Sequence, residues 1–170
     1  MATTSSNKMP LLVDRPLHSF ATIGGAACLT TSTNFNTVSG GGCTLLVDCS
    51  SNDGAVIDSI SIIANEASTT ASTVLVFLSV ATATNGITAS NTACIASAAI
   101  GSATAGQRTN ISLPALTVPV PSTTANAELD KKNTGIYVPS GALIYVGVNA
   151  VLSAPSAATR VHVFAQGGFF

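Results

Sequence analysis

Tryptophan is absent from this chain of 170 residues, and charge is nearly so. Lys, Arg, Asp and Glu together make up 8% of it, against about 25% in an ordinary globular domain. The missing Trp argues against an immunoglobulin framework, whose core is organised around one. With a net charge of −1 and a pI near 6.0, there is no basic excess to hold a nucleic acid and no acidic excess to keep the chain unfolded by repulsion. Long apolar runs are also missing. The most strongly apolar, Val74–Val80, already contains a serine, and a spanning helix needs about 20 consecutive apolar residues. The mean hydropathy of +0.51 therefore owes more to alanine than to a membrane segment. The start of the chain has only Leu11-Leu12-Val13 between Lys8 and the Asp14-Arg15 pair. That is too short for a signal-peptide core, so the expectation is a protein made and used without Sec export.

Helix signals are equally scarce. No stretch repeats apolar residues at i, i+3, i+4 and i+7 with Glu, Lys, Leu or Gln in support. Strand signals recur instead. They predict strands over Leu17–Ile23, Cys43–Asp48, Ala55–Ile63, Thr73–Val80, Thr92–Ala98, Asn110–Val120, Gly135–Val138, Ala142–Val148 and Thr159–Ala165. Turn-forming sequences separate them: "SGGG" before Cys43, "SNDG" before Ala55, "TNG" at Thr84–Gly86 and "APSA" at Ala154–Ala157. Eight or nine short strands spaced this way predict an all-β fold, an antiparallel two-sheet sandwich of jelly-roll or Greek-key type. Residues 1–15 read as an extended N-terminal arm and residues 16–170 as a single β-sandwich domain. The segment Pro121–Gly135 gathers Glu128, Asp130, Lys131 and Lys132 within five residues, which predicts an exposed loop.

Several of these strands are apolar on both sides. In "GIYVPSGALIYVGVNAVL" (Gly135–Leu152), Leu143 and Tyr145 point one way while Ile144, Val146 and Val148 point the other. A strand in a lone sandwich shows one apolar and one polar face. Burying a Val or Leu contributes on the order of 1.5–3 kcal/mol, so outward-facing apolar rows would support an interface. Ile144, Val146 and Val148 are accordingly the expected subunit contacts. Lys8, Leu11, Leu12, Val13 and Arg15 of the arm are the expected contacts to a larger partner. The competing reading has both faces covered within one chain.

Groups able to do chemistry are few. His18 and His162 each fall inside a strand, and His162 shares its face with Arg160 and Phe164, so both read as ordinary strand histidines. There is no G-x-S-x-G elbow and no phosphate loop, and no close Cys or His spacing suits a metal. The sequon Asn110-Ile111-Ser112 has no export route to make it meaningful. The four cysteines, Cys28, Cys43, Cys49 and Cys94, are expected to be reduced and buried as small apolar residues. Cys43 and Cys49 flank one strand and stand too far apart to pair, at about 3.3 Å per residue. If any pair bridges, Cys28–Cys43 is the expected one. The expectation is no catalytic residue, no cofactor and no metal.

The order "GAVIDSISIIANEASTTASTVLVFLSV", "IGSATAGQRTNISLPALTVPV", "IYVPSGALIYVGVNA" and "TRVHVFAQGGFF" resembles that of small all-β virion proteins of tailed bacteriophages. The resemblance rests on Ile57, Ile60, Val74, Phe77, Pro139, Gly141, Val146, Gly167, Gly168 and Phe170, and covers residues 54–170. It implies a non-enzymatic structural component of the particle, of the jelly-roll-like capsid cement (decoration) type. Such a protein binds the major capsid protein lattice and stabilises the head. It also implies a homo-oligomer, a trimer by analogy, located on the capsid surface of the virion and assembled in the host cytoplasm, with neither nucleic acid nor membrane as partner. A tail, baseplate or fibre-attachment protein is the alternative within the same particle. A carbohydrate-binding β-sandwich is the alternative from another class; with Tyr137 and Tyr145 the only tyrosines, its aromatic platform would be thin.

Overall fold

The computed structural model describes residues 15–31, 34, 37–67, 71–100, 104–113, 135–152 and 161–170. The described residues form nine strands: β1 (Arg15–Ile23), β2 (Thr44–Asp48), β3 (Gly54–Ala64), β4 (Thr73–Ser79), β5 (Thr92–Ala99), β6 (Arg108–Ile111), β7 (Ile136–Pro139), β8 (Leu143–Val148) and β9 (Val161–Phe169). Short 3-10 turns stand at Gly40–Gly42 and Thr84–Gly86. Each predicted strand finds its counterpart within a few residues. The predicted strand Asn110–Val120 is the exception: it is short, because β6 ends at Ile111 and the stretch 114–120 lies outside the described residues.

The strands form two antiparallel sheets. One has the order β1-β9-β3-β6, with the short β7 also paired to β3; the other has the order β2-β8-β4-β5. β9 runs along nearly all of β3, from Ala55 to Ala64, while β7 and β6 pair with successive halves of it, Gly54–Ile57 and Ile60–Ile63. β6 and β7 therefore occupy one position on the far side of β3. Between the sheets lies a core of Leu17, Ala21 and Ile23 of β1, Ile57, Ile60 and Ile62 of β3, Val74 and Val76 of β4, Ile144, Val146 and Val148 of β8, and Val161 and Val163 of β9. Most are β-branched and follow the strand alternation that suits a pleated surface, with an irregularity between Ile57 and Ser59 shifting the inward face of β3. The architecture is thus an all-β, two-sheet antiparallel sandwich.

The apolar second face of β8 is answered here. All six residues of β8 are buried. Ile144, Val146 and Val148 face the other sheet, each 0% exposed in the single chain. The expectation that these three form a subunit contact is therefore corrected: a side chain already closed off inside one chain has no surface left to offer a neighbour. Leu143 and Tyr145 point away from the sandwich into a second, smaller core with Leu75 and Phe77 of β4 and with Cys28, Leu29, Val38, Cys43, Ala81 and Ile87. Those last six residues belong to the β1–β2 and β4–β5 connections, which fold back over the sheet. A parallel bridge between Ala27 and Val148 and the hydrogen bond from the Cys28 amide to the Val148 carbonyl (2.8 Å) tie the first connection down. The Tyr145 hydroxyl donates to the Ala81 carbonyl (3.0 Å) and ties down the second. The two connections meet at their 3-10 turns, where a Cβ on Gly40 would stand 1.5 Å from the Thr84 carbonyl oxygen.

Candidate functional site

Among the described residues, loops cover β4 and β8 of the four-stranded sheet, whereas the outer face of the five-stranded sheet carries exposed side chains such as Phe20 and Tyr137. Strand register decides what stands there. Phe20 of β1 pairs with Phe164 of β9, and Phe164 with Ser61 of β3, which pairs in turn with Asn110 of β6. The next row is Thr22, His162, Ile63 and Arg108. At the opposite end, Val56 pairs with Gly168 and with Tyr137. Strand alternation sends all of these away from the core. The result is a largely uncharged sheet surface with an aromatic cluster near one corner.

Phe20 is 64% exposed, and its ring lies 6.0 Å from Phe164 and 5.9 Å from His162, the latter edge-on. His162 and Phe164 are also edge-on, at 6.0 Å. These are favourable aromatic geometries, each contributing about 0.5–1.5 kcal/mol beyond area alone. His162 is fixed by a hydrogen bond between its Nδ1 and the Thr22 hydroxyl (2.9 Å). Tyr137 stacks on Phe170 at 6.1 Å. At the other end of β1, Arg15 sets its guanidinium 5.1 Å from the ring centre of Phe169, which packs against the inter-sheet core, and donates a hydrogen bond to Asn52. Single exposed apolar residues need no explanation, but a connected aromatic group on an open sheet does.

Of the residues expected to touch a larger partner, Lys8, Leu11, Leu12 and Val13 lie outside the described residues. Arg15 is the first residue of β1 rather than part of an arm, because its backbone is already paired with Phe169. From the sequence, Phe164 stands out only as a neighbour of His162 and Tyr137 only as part of a thin aromatic platform, and Phe20 not at all; alternation along β1, β7 and β9 carries their signal, but not which apolar face the loops would cover.

The inventory of reactive groups is sparse. Among the described residues no three His, Cys, Asp or Glu side chains gather as a metal site, and no helix is long and apolar enough to cross a membrane. A shallow cavity of about 380 Å³ beside β4 and β5 is lined by Leu78, Ser79, Val80, Asn91, Thr92 and Pro139, among others. None of its lining residues is an acid, a base or a thiol. The four cysteines are free; Cys28, Cys43 and Cys49 are buried, and Cys94 only partly so, which corrects the expectation of four buried thiols. Cys28 and Cys43 hydrogen-bond one another, which lowers the Cys43 thiol and, together with burial, raises that of Cys28. What the open face can do is bind through apolar and aromatic contact.

The fold defines an all-β, two-sheet antiparallel sandwich. No family model, no curated protein and no solved structure matches the chain.

Proposed function

We propose that this protein is a non-enzymatic structural component of a tailed-phage particle. In this reading it is a cement protein that sits on the major capsid protein lattice and associates with copies of itself, as a trimer. The observation that carries the proposal is the uncovered aromatic face of the five-stranded sheet. A protein whose task is adhesion needs a firm scaffold and an apolar surface, and it needs no titrating groups held in a pocket. The jelly-roll part of the reading draws support from the strand order. With β7 set aside, β1-β9-β3-β6 lies against β2-β8-β4-β5, the arrangement in which two Greek keys wrap into one sandwich, used by viral capsid domains and lectins alike. The sequence resemblance over residues 54–170 points the same way. Many copies on a symmetric shell gain from avidity, so each contact can be modest.

The lectin use of the same architecture keeps the carbohydrate-binding reading second. It is weakened because Tyr145 is buried with its hydroxyl engaged on Ala81, which leaves Tyr137 as the one exposed tyrosine. Mass spectrometry of purified particles of the virus that carries the gene tests the proposal. Hundreds of copies per particle are expected. A handful would move the protein to the tail or baseplate, and its absence from particles would overturn the virion reading.

A further inference from the structure

The layer covering β8 holds two thiols in contact, and the local backbone is shaped to bring them there. Leu29 and Val38 form an antiparallel bridge, and the Ser39 amide donates to the Cys28 carbonyl (2.7 Å). The 3-10 turn Gly40–Gly42 then reverses the chain, with the Cys43 amide donating to the Gly40 carbonyl (3.1 Å) and the Cys43 thiol to that of Ser39 (3.5 Å). This puts Cys43 alongside Cys28. Glycines make the approach possible. A Cβ on Gly42 would stand 2.1 Å from the Ala27 oxygen and 2.6 Å from the Cys28 nitrogen. A Cβ on Gly147 would stand 2.5 Å from the Cys28 Cβ and 2.8 Å from its Sγ, so the Cys28 side chain fills the place where a side chain at 147 would begin.

Thr44 pairs with Val146, and the same register sets Cys43 across from Gly147. Side chains directly opposite on antiparallel strands have Cβ atoms about 4.5–5.5 Å apart, and a disulfide needs about 3.5–4.5 Å. Cys28 occupies the space beside Gly147, shares one small core with Cys43 and is joined to it by a side-chain hydrogen bond. Cys49 belongs to the other core, between the sheets, and Cys94 sits on β5 with its thiol directed to the Ala96 carbonyl (3.6 Å).

We infer that Cys28 and Cys43 are a redox-responsive pair that closes to a disulfide when the protein meets an oxidising solution, clamping the cover of β8. With a low-molecular-weight disulfide such as oxidised glutathione, the Cys43 thiolate attacks one glutathione sulfur and releases one glutathione thiolate. Opening of the cover that admits the oxidant also exposes Cys28, buried when the cover is closed; its thiol then loses its proton to solvent, and the sulfur attacks the Cys43 sulfur and displaces the second glutathione thiolate. Two protein thiols are oxidised by two electrons in all, and one disulfide of the oxidant is reduced to two thiols. The hydrogen bond that lowers Cys43 marks it as the first nucleophile.

The test uses the full chain, reduced and then incubated with oxidised glutathione. After a denaturing quench, titratable thiols are expected to fall from four to two, peptide mapping to link Cys28 to Cys43, and the melting temperature to rise by about 5–10 °C, reversibly with dithiothreitol, as expected for a bridged loop of about 15 residues. In a Cys49→Ser, Cys94→Ser variant the count is expected to fall from two to zero. A count that stays at four, a glutathione adduct that persists, or a link involving Cys49 or Cys94 would overturn the inference.

Discussion

Cys49 closes β2 with no exposed surface. Its amide donates to the Ala142 carbonyl (3.2 Å) and its own carbonyl accepts from Gly141 (3.0 Å). Burial, and secondarily the charge of Asp48, push its thiol from 9.0 up to about 11. The native chain therefore keeps this proton where the unfolded chain releases it. Above pH 9 the unfolded state binds fewer protons, so stability falls as pH rises. The contribution is whole below pH 9 and is lost by about pH 11, an amount on the order of 2–3 kcal/mol. Denaturant unfolding at pH 8 and pH 11 is expected to show this loss, and Cys49→Ala to make the decline shallower by a similar amount. An equal decline in the variant would show that Cys49 is not responsible. Gly167 shows a different constraint: a Cβ there would stand 1.9 Å from the Val56 oxygen, which explains a glycine in the middle of a strand.

At the scale of the element, β4 and β8 are the two central strands of their sheet, and both are apolar on both faces. Alternation told where they run, and the predicted bounds Thr73–Val80 and Ala142–Val148 lie within a residue or so of β4 and β8. The same doubled pattern also promised an exposed interface, and that inference was too quick. Two connections carrying Cys28, Leu29, Val38, Ala81 and Ile87 supply the missing layer, and nothing in their short, Gly- and Thr-rich sequence marks them as a lid. Because Ile144 is fully buried in the single chain, Ile144→Ala is expected to cost about 2–5 kcal/mol in denaturant unfolding. Light scattering should meanwhile give an unchanged molar mass. A fall in mass without loss of stability would restore the interface reading for β8.

At the scale of the molecule, the described residues cover β4 and β8 of one sheet and leave side chains such as Phe20 exposed on the other, and the proposed adhesion would fall to that second face. Self-association at micromolar concentration is expected, and Phe20→Asp should weaken it at least tenfold. Losing the ring contacts of Phe20 with Phe164 and His162, about 0.5–1.5 kcal/mol each, is expected to lower the melting temperature by several degrees while leaving the chain folded. Size exclusion with light scattering checks both statements, and a wild-type chain that stays monomeric throughout would remove the role proposed for this face. Under the cement reading, deletion of residues 1–14 is expected to leave the melting curve in place while reducing attachment to empty shells, as measured by co-sedimentation. Undiminished attachment would take the segment out of the contact.

The strands among the described residues and their antiparallel class were legible in the sequence, because alternation and turn residues are local properties. Which strands became neighbours was not, since pairing β1 with β9 joins residues from opposite ends of the chain and depends on closing the whole sandwich. The fate of each apolar face was equally non-local. The hydrophobic effect demands that such a face be covered but does not say by what, and only the folded chain decided that loops would shield β8 while Phe20, His162 and Phe164 were left to the solvent side.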